Sequence, residues 1–151
     1  MILLPIHNLI RWAVLIFGIS TVFLAFTGLR SKRAFSSTDN RFSLLFMIFC
    51  DVQLLIGLVL YYYNGWWENI QKGMGDIMKN GSMRFVAVEH AFTMILAWVL
   101  VHVGRTAVKK AAPENKHKKM LLYFGLALLL ILISIPWPFR ASIGKPLFRM
   151  F

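Results

Sequence analysis

Four long apolar segments divide the chain, at about residues 4–29, 42–63, 84–103 and 120–135. A helix of roughly 20 apolar residues crosses a hydrocarbon core about 30 Å thick. In lipid each backbone amide must be paired inside its own segment, so these segments are predicted to be helices. Because the connections are short, we expect an all-α integral membrane protein whose 151 residues form a single four-helix, up-down bundle.

The connection between the second and third segments has a pattern of its own. Apolar residues recur there at spacings of three and four, with charged residues between them. This predicts a short amphipathic helix lying on the membrane surface. Gly73 and Gly75 weaken that prediction, and the alternative is a partly ordered loop anchored by aromatic side chains. The apolar positions are Trp67, Ile70, Met74, Ile77 and Met78.

Composition supports a membrane protein. Hydrophobic residues make up 58% of the chain, whereas a soluble domain has about 45–50%. Lys and Arg number 17 against 6 Asp and Glu. Because these cations flank the apolar segments, we interpret them as contacts to anionic lipid headgroups rather than to nucleic acid. Cys50 is the single cysteine, which excludes an intramolecular disulfide and a thiolate metal cluster.

The charged connections predict the orientation. Excess positive charge lies between the first two segments and between the last two, around Arg33 and Lys110. The positive-inside rule therefore places these two loops in the cytoplasm and both termini outside. An aromatic belt at the outer ends agrees with this orientation. It comprises Tyr61, Tyr62, Tyr63, Trp66, Trp67 and Trp137.

The third segment carries three ionisable residues, Glu89, His90 and His102. Ionisable groups at membrane depth are costly and usually mark a site. His102 follows His90 by about 18 Å of helix, so the two cannot bind one metal. His102 could serve a second site on the opposite side of the membrane, although its candidate partner His117 is expected to be solvated. Otherwise His102 forms a hydrogen bond to Asp51 or to a carbonyl.

Asp51 lies near the middle of the second segment and has three possible roles. It could pair with His102, relay protons, or contact a neighbouring subunit. Gln53 faces away from Asp51 on a helix. One of the two is therefore expected to meet another protein or to form a hydrogen bond across the bundle.

The first segment presents a stripe at helical spacing that begins with His7 and Arg11. Its inner part is small, with Gly18, Thr21 and Ala25, which would admit a neighbouring helix or a flat cofactor. The alternative is a simple packing seam with polar residues at headgroup level.

His7 is expected in the same leaflet as His90. Counted along their helices from the outer surface of the membrane, Arg11 and Glu89 lie at similar depth. This predicts a buried ion pair between the first and third segments. Together with Asp51, these two residues would form a structural polar network.

The chain resembles a family of small four-helix bacterial membrane proteins often labelled cytochrome b-like. The matching stretches are His7–Trp12, Asp51–Gly57, Glu89–His90, His102–Arg105, His117–Lys119 and Ile135–Pro138. The resemblance implies an inner-membrane protein with haem b bound by histidines, and His7 and His90 are the positions expected to ligate iron. It also admits His102 as a further cofactor-binding residue.

Two functions are therefore expected from the sequence. The first is haem-mediated electron transfer between a quinol and a partner, with quinone as the small-molecule partner. The alternative is a haem-free accessory subunit of a larger inner-membrane complex, in contact with other membrane subunits. Sequence motifs of metalloproteases, nucleotide-binding enzymes and serine hydrolases are missing, which argues against those enzyme classes.

Overall fold

A computed structural model describes residues 2–147, and over this range the chain is all-α, with no strand. Four helices are long and apolar enough to cross a membrane, as predicted. Two of them, α1 and α2, are uninterrupted, and the third and fourth are composite. The elements are α1 (Leu3–Ser31), α2 (Ser37–Tyr63), α3 (Trp66–Lys72), α4 (Met74–Lys79), α5 (Gly81–Arg84), a π-helix (Phe85–His90), α6 (Ala91–Lys110), a 3₁₀ turn (Pro113–Asn115) and α7 (Lys116–Ser134).

The long helices extend beyond the predicted apolar segments at their basic ends. The second begins at Ser37 rather than near residue 42, and the third continues to Lys110 rather than ending near 103. Charged residues end an apolar segment, but Lys and Arg are good helix formers, so the helix continues past the apolar segment.

Each long helix packs mainly against two others. The helix α1 packs against α2 and α7, and α6 packs against the same two helices. The first and third long helices are not a closely packed pair, because α1 and α6 share α2 and α7 as their main neighbours. The buried centre is aromatic: Phe46 of α2 and Phe124 of α7 are fully buried, with ring centroids 5.9 Å apart.

The small-residue stripe of α1 is a packing seam. Thr21 and Ala25 are fully buried. A Cβ added to Gly18 would lie 3.0 Å from both Leu128 and Phe46. Side chains of α2 and α7 thus fill the space beside Gly18, and a flat cofactor does not fit there.

The surface segment forms two short helices, α3 and α4, rather than one. They separate at Gly73, whose φ of 158° is one that residues with a Cβ rarely adopt. Of the predicted apolar positions, Ile77 is buried at 2% exposure, whereas Trp67, Met74 and Met78 are exposed.

The Pro136–Trp137–Pro138 tripeptide ends α7 and turns the chain back. A proline has no N–H, so Pro136 and Pro138 leave the carbonyls four residues earlier, at Leu132 and Ser134, without their helical donors. The Trp137 indole donates to Leu132 O at 2.8 Å. The donor to Ser134 comes from another helix, as described next.

Candidate functional site

His90 ends the π-helix at the start of the third long helix. Single π-turns within α-helices are frequent at functional sites. His90 Nδ1 lies 2.9 Å from Ser134 O, the carbonyl that Pro138 leaves without a helical donor. A carbonyl can only accept, so Nδ1 carries the proton and Nε2 of the neutral ring keeps its lone pair. The proline motif therefore fixes the orientation of a histidine on a neighbouring helix.

His7 lies against α2 near the C-terminal end of that helix. A Cβ added to Gly57 would lie 3.4 Å from His7 Cε1, so the glycine leaves room for the imidazole. His7 Nε2 is 3.3 Å from the amide nitrogen of Gln53. This confirms that Gln53 forms a hydrogen bond to another helix.

Two polar atoms at this contact are left over. His7 Nδ1 and Gln53 Oε1 are buried and have no hydrogen-bond partner among residues 2–147. Turning the Gln53 amide would let Oε1 accept a proton from His7 Nε2 and would leave Nδ1 with an open lone pair. Unpaired buried polar atoms cost free energy, and an explanation is a missing ligand.

The two histidines lie near each other although α1 and α6 are not a closely packed pair. His7 and His90 lie within electrostatic range of each other, and Arg11 lies within range of both. The Arg11 guanidinium donates to Leu147 O at 2.5 Å, in the segment that follows the proline turn. The structure thus brings His7, His90 and Arg11 to the same end of the molecule.

The predicted Arg11–Glu89 ion pair is wrong. Glu89 Oε1 instead pairs with Arg84 Nε at 2.7 Å, and both side chains are nearly half exposed. Five residues separate this pair, which is the i to i+5 spacing of the π-helix, so the π-turn places them one above the other. The local partner Arg84 therefore takes the place that the prediction gave to Arg11.

Asp51 and His102 form the predicted pair. His102 Nε2 lies 2.7 Å from Asp51 Oδ1, and Trp98 Nε1 donates to the same oxygen at 2.6 Å. Trp98 and His102 lie one turn apart on α6, with ring centroids 4.5 Å apart. This cluster is about a third exposed, at 35% for Asp51 and 37% for His102. His102 is therefore not brought to His7 and His90.

One end of the molecule carries the positively charged connections around Arg33 and Lys110, and we call it the basic end. A buried cluster at this end was not predicted. Asp39 is fully buried, and its carboxylate accepts hydrogen bonds from both terminal nitrogens of the Arg33 guanidinium, at 2.6 and 2.7 Å. It also accepts from Ser36 N at 2.8 Å and lies 3.2 Å from His117 Nε2. His117 is only 4% exposed, so the prediction of a solvated histidine is wrong.

Two local signals could have revealed this cluster. Ser36 and Asp39 have the spacing of a capping box, which forms at the start of α2. Gly28 has no side chain because one would overlap the His117 ring: an added Cβ would lie 2.7 Å from Cε1. Arg105 is also buried and donates to Ser43 Oγ at 2.8 Å.

Across residues 2–147, no group of three or more His, Cys, Asp and Glu side chains could hold a metal ion. A haem iron is already held by its macrocycle, so two histidines can bind it without a larger group of metal ligands. Comparison with known proteins finds no matching family model, no matching curated protein and no matching solved structure.

Proposed function

We propose that this chain is a small b-type cytochrome-like membrane protein that uses His7 and His90 to bind one haem. It would pass electrons between a quinol and a partner protein. The observation that supports this best is the arrangement of the two imidazoles. Each has one nitrogen engaged by the chain and the other left over, and both lie at one end of the molecule within electrostatic range.

The residues fit a bis-histidine haem. His90 donates from Nδ1 to a backbone carbonyl, which is the outer hydrogen bond that orients a metal-ligating imidazole. His7 has an unpaired buried Nδ1, and Gln53 beside it can orient the ring. A bound iron would give the leftover nitrogens the partners that the protein does not supply.

Each chain residue has a defined part in this proposal. Haem supplies the one-electron chemistry when bound. His7 and His90 hold it, Ser134 O and Gln53 orient the two rings, and Arg11 places a positive charge close to both. Cationic groups near a redox centre favour its reduced form, so Arg11 would raise the reduction potential.

The proposal includes an arrangement in the bacterial inner membrane. The four helices would cross it as an up-down bundle with both termini outside. Support comes from the positive charge of the two loops around Arg33 and Lys110. After Cys50 is replaced, an impermeant thiol reagent should label Gly75→Cys but not Ser37→Cys in intact cells. Labelling of Ser37→Cys alone would reverse the orientation.

A reduced-minus-oxidised absorption spectrum tests the haem proposal. The full chain, expressed with ample haem and purified in mild detergent, should show Soret and α-band changes. The His102→Ala variant is the control, because His102 lies apart from the two proposed ligands and should keep both bands. A featureless difference spectrum of the wild-type protein would exclude haem.

A second candidate function is that of a haem-free accessory subunit. It is favoured by the Asp51–His102–Trp98 cluster, which is a third exposed on a face with exposed Leu55 and Val99. A partly exposed carboxylate at membrane depth is costly unless something polar covers it, and a partner helix could do so. Native mass measurement after mild extraction tests this: a larger complex that is lost in Asp51→Leu supports it, and a protein that is always alone contradicts it.

A further inference from the structure

A groove beside α7 at the basic end has lysines at one end and an apolar floor. Two adjoining open depressions of about 350 and 470 Å³ share Lys118 and Leu122 in their linings. The smaller is otherwise polar, with Asn115 and Lys119 beside Tyr123. The larger is otherwise apolar and reaches α1, with Leu29, Leu121, Gly125, Leu126 and Leu129.

Gly125 leaves the groove open. A Cβ added there meets no atom within 4 Å, whereas one added to Gly18 or Gly28 meets side chains at 3.0 Å or closer. The neighbouring Leu122 and Leu129 are 55% and 53% exposed. An apolar channel of this kind is filled by hydrocarbon in a bilayer.

The length of the groove matches one leaflet. Lys118 lies in the first turn of α7, and Leu129 is about 16 Å further along the axis at 1.5 Å per residue. Half of a hydrocarbon core is about 15 Å. A lysine at headgroup level therefore stands at the top of a channel as deep as one acyl chain.

The charge at the mouth is positive and uncompensated. Neither Lys118 nor Lys119 forms an ion pair within the described part of the chain. Glu114 is the single acidic residue in this connection, against five lysines from Lys109 to Lys119. Basic sites beside transmembrane helices on the positive side bind anionic headgroups.

We propose that this groove binds one anionic phospholipid, with its phosphate at Lys118 and Lys119 and an acyl chain along Gly125. The matched charge, the open glycine and the leaflet depth together select a lipid over a protein segment as the occupant. This site is independent of haem, since it lies at the opposite end of the molecule from His7 and His90.

Native mass spectrometry of the full-length protein tests the proposal. The protein in mild detergent is titrated with phosphatidylglycerol and, separately, with phosphatidylcholine of the same chains. The wild type should retain one phosphatidylglycerol in preference to phosphatidylcholine. Replacing Lys118 and Lys119 by Gln should lower that preference at least fivefold, since each nearby cation contributes about that factor.

Two matched control variants distinguish a specific lipid site from non-specific attraction of lipid to charged or apolar surfaces. Lys109→Gln with Lys110→Gln removes the same charge at the exposed end of α6 and should leave the preference unchanged. Gly125→Leu fills the channel and should weaken binding of both lipids, whereas Ile19→Phe on the exposed face of α1 should not. Equal losses in both lysine pairs, or full binding by Gly125→Leu, would overturn the proposal.

Discussion

The buried clusters around Asp39 and around His7 differ in how fully they are paired. At the basic end, the Asp39 carboxylate forms hydrogen bonds with three residues, Arg33, Ser36 and His117, although Arg105 Nε is buried there without a partner in residues 2–147. At the other end, His7 Nδ1 and Gln53 Oε1 are buried without a partner in residues 2–147. Each cluster contains a histidine, but only His117 has its polar neighbour without leaving buried atoms unpaired beside it.

This difference distinguishes a structural cluster from a candidate site. A satisfied buried network ties its elements together, and breaking it leaves charges stranded. Atoms left unpaired reduce stability, and a bound ligand is one explanation for them. We therefore interpret Asp39 as holding α1, α2 and α7 together, and His7 with His90 as the place where a cofactor binds.

The largest effect is expected at the Asp39 cluster. Asp39→Asn removes the buried charge and leaves Arg33 without its bidentate partner, which should destabilise the protein by about 3 kcal/mol. Thermal unfolding in detergent measures this. A change as small as that of an exposed carboxylate would show that the cluster does not hold the helices together.

A smaller loss is expected where the cluster meets α1. Gly28→Ala would force a methyl group into the His117 ring and should cost about 1–3 kcal/mol. Gly125→Ala is the matched control, because its methyl meets open space and should instead stabilise α7 by about 0.5–1 kcal/mol. If both variants unfold at the same temperature, His117 is not packed against Gly28.

Gln53→Leu should separate stability from cofactor binding at the other end. The variant loses the contact to His7 but also loses the buried unpaired Oε1. These effects oppose each other, so we expect the unfolding free energy of the haem-free protein to change by less than about 1 kcal/mol. Haem retention during purification should nevertheless fall. A strongly destabilised variant would indicate that Gln53 has a structural role like that of Asp39.

The smallest effect is expected at the Arg84–Glu89 pair. Both side chains are exposed by 41% and 48%, so Glu89→Gln should cost about 1 kcal/mol or less. Arg84→Gln should cost the same, and the double variant should show little coupling. Coupling as large as that between Arg33 and Asp39 would mean that the pair is buried in the membrane.

The helices could be predicted from sequence because apolar length alone specifies them. The Asp51–His102 pair was also predictable, since a carboxylate at membrane depth needs a partner. The prediction of an Arg11–Glu89 pair failed because two residues at similar depth in the membrane need not lie on neighbouring helices. It also failed because the π-turn gave Glu89 a local partner in Arg84.

Other features depended on structure that no periodicity reveals. His117 stands among lysines in sequence, yet a glycine on α1 and the Asp39 carboxylate bury it. The Ser134 carbonyl became available to His90 only through the position of Pro138. Both cases require knowing which helices meet.

Haem content per chain, measured across four single-histidine variants, tests the central claim most directly. The wild-type protein should carry one haem per chain, and His102→Ala and His117→Ala should keep it if they fold. His7→Ala and His90→Ala should each lose the haem, and each should unfold at a temperature close to that of the haem-free wild-type protein. Haem retained by both of these variants, or absent from every form, would contradict the assignment of His7 and His90 as its ligands.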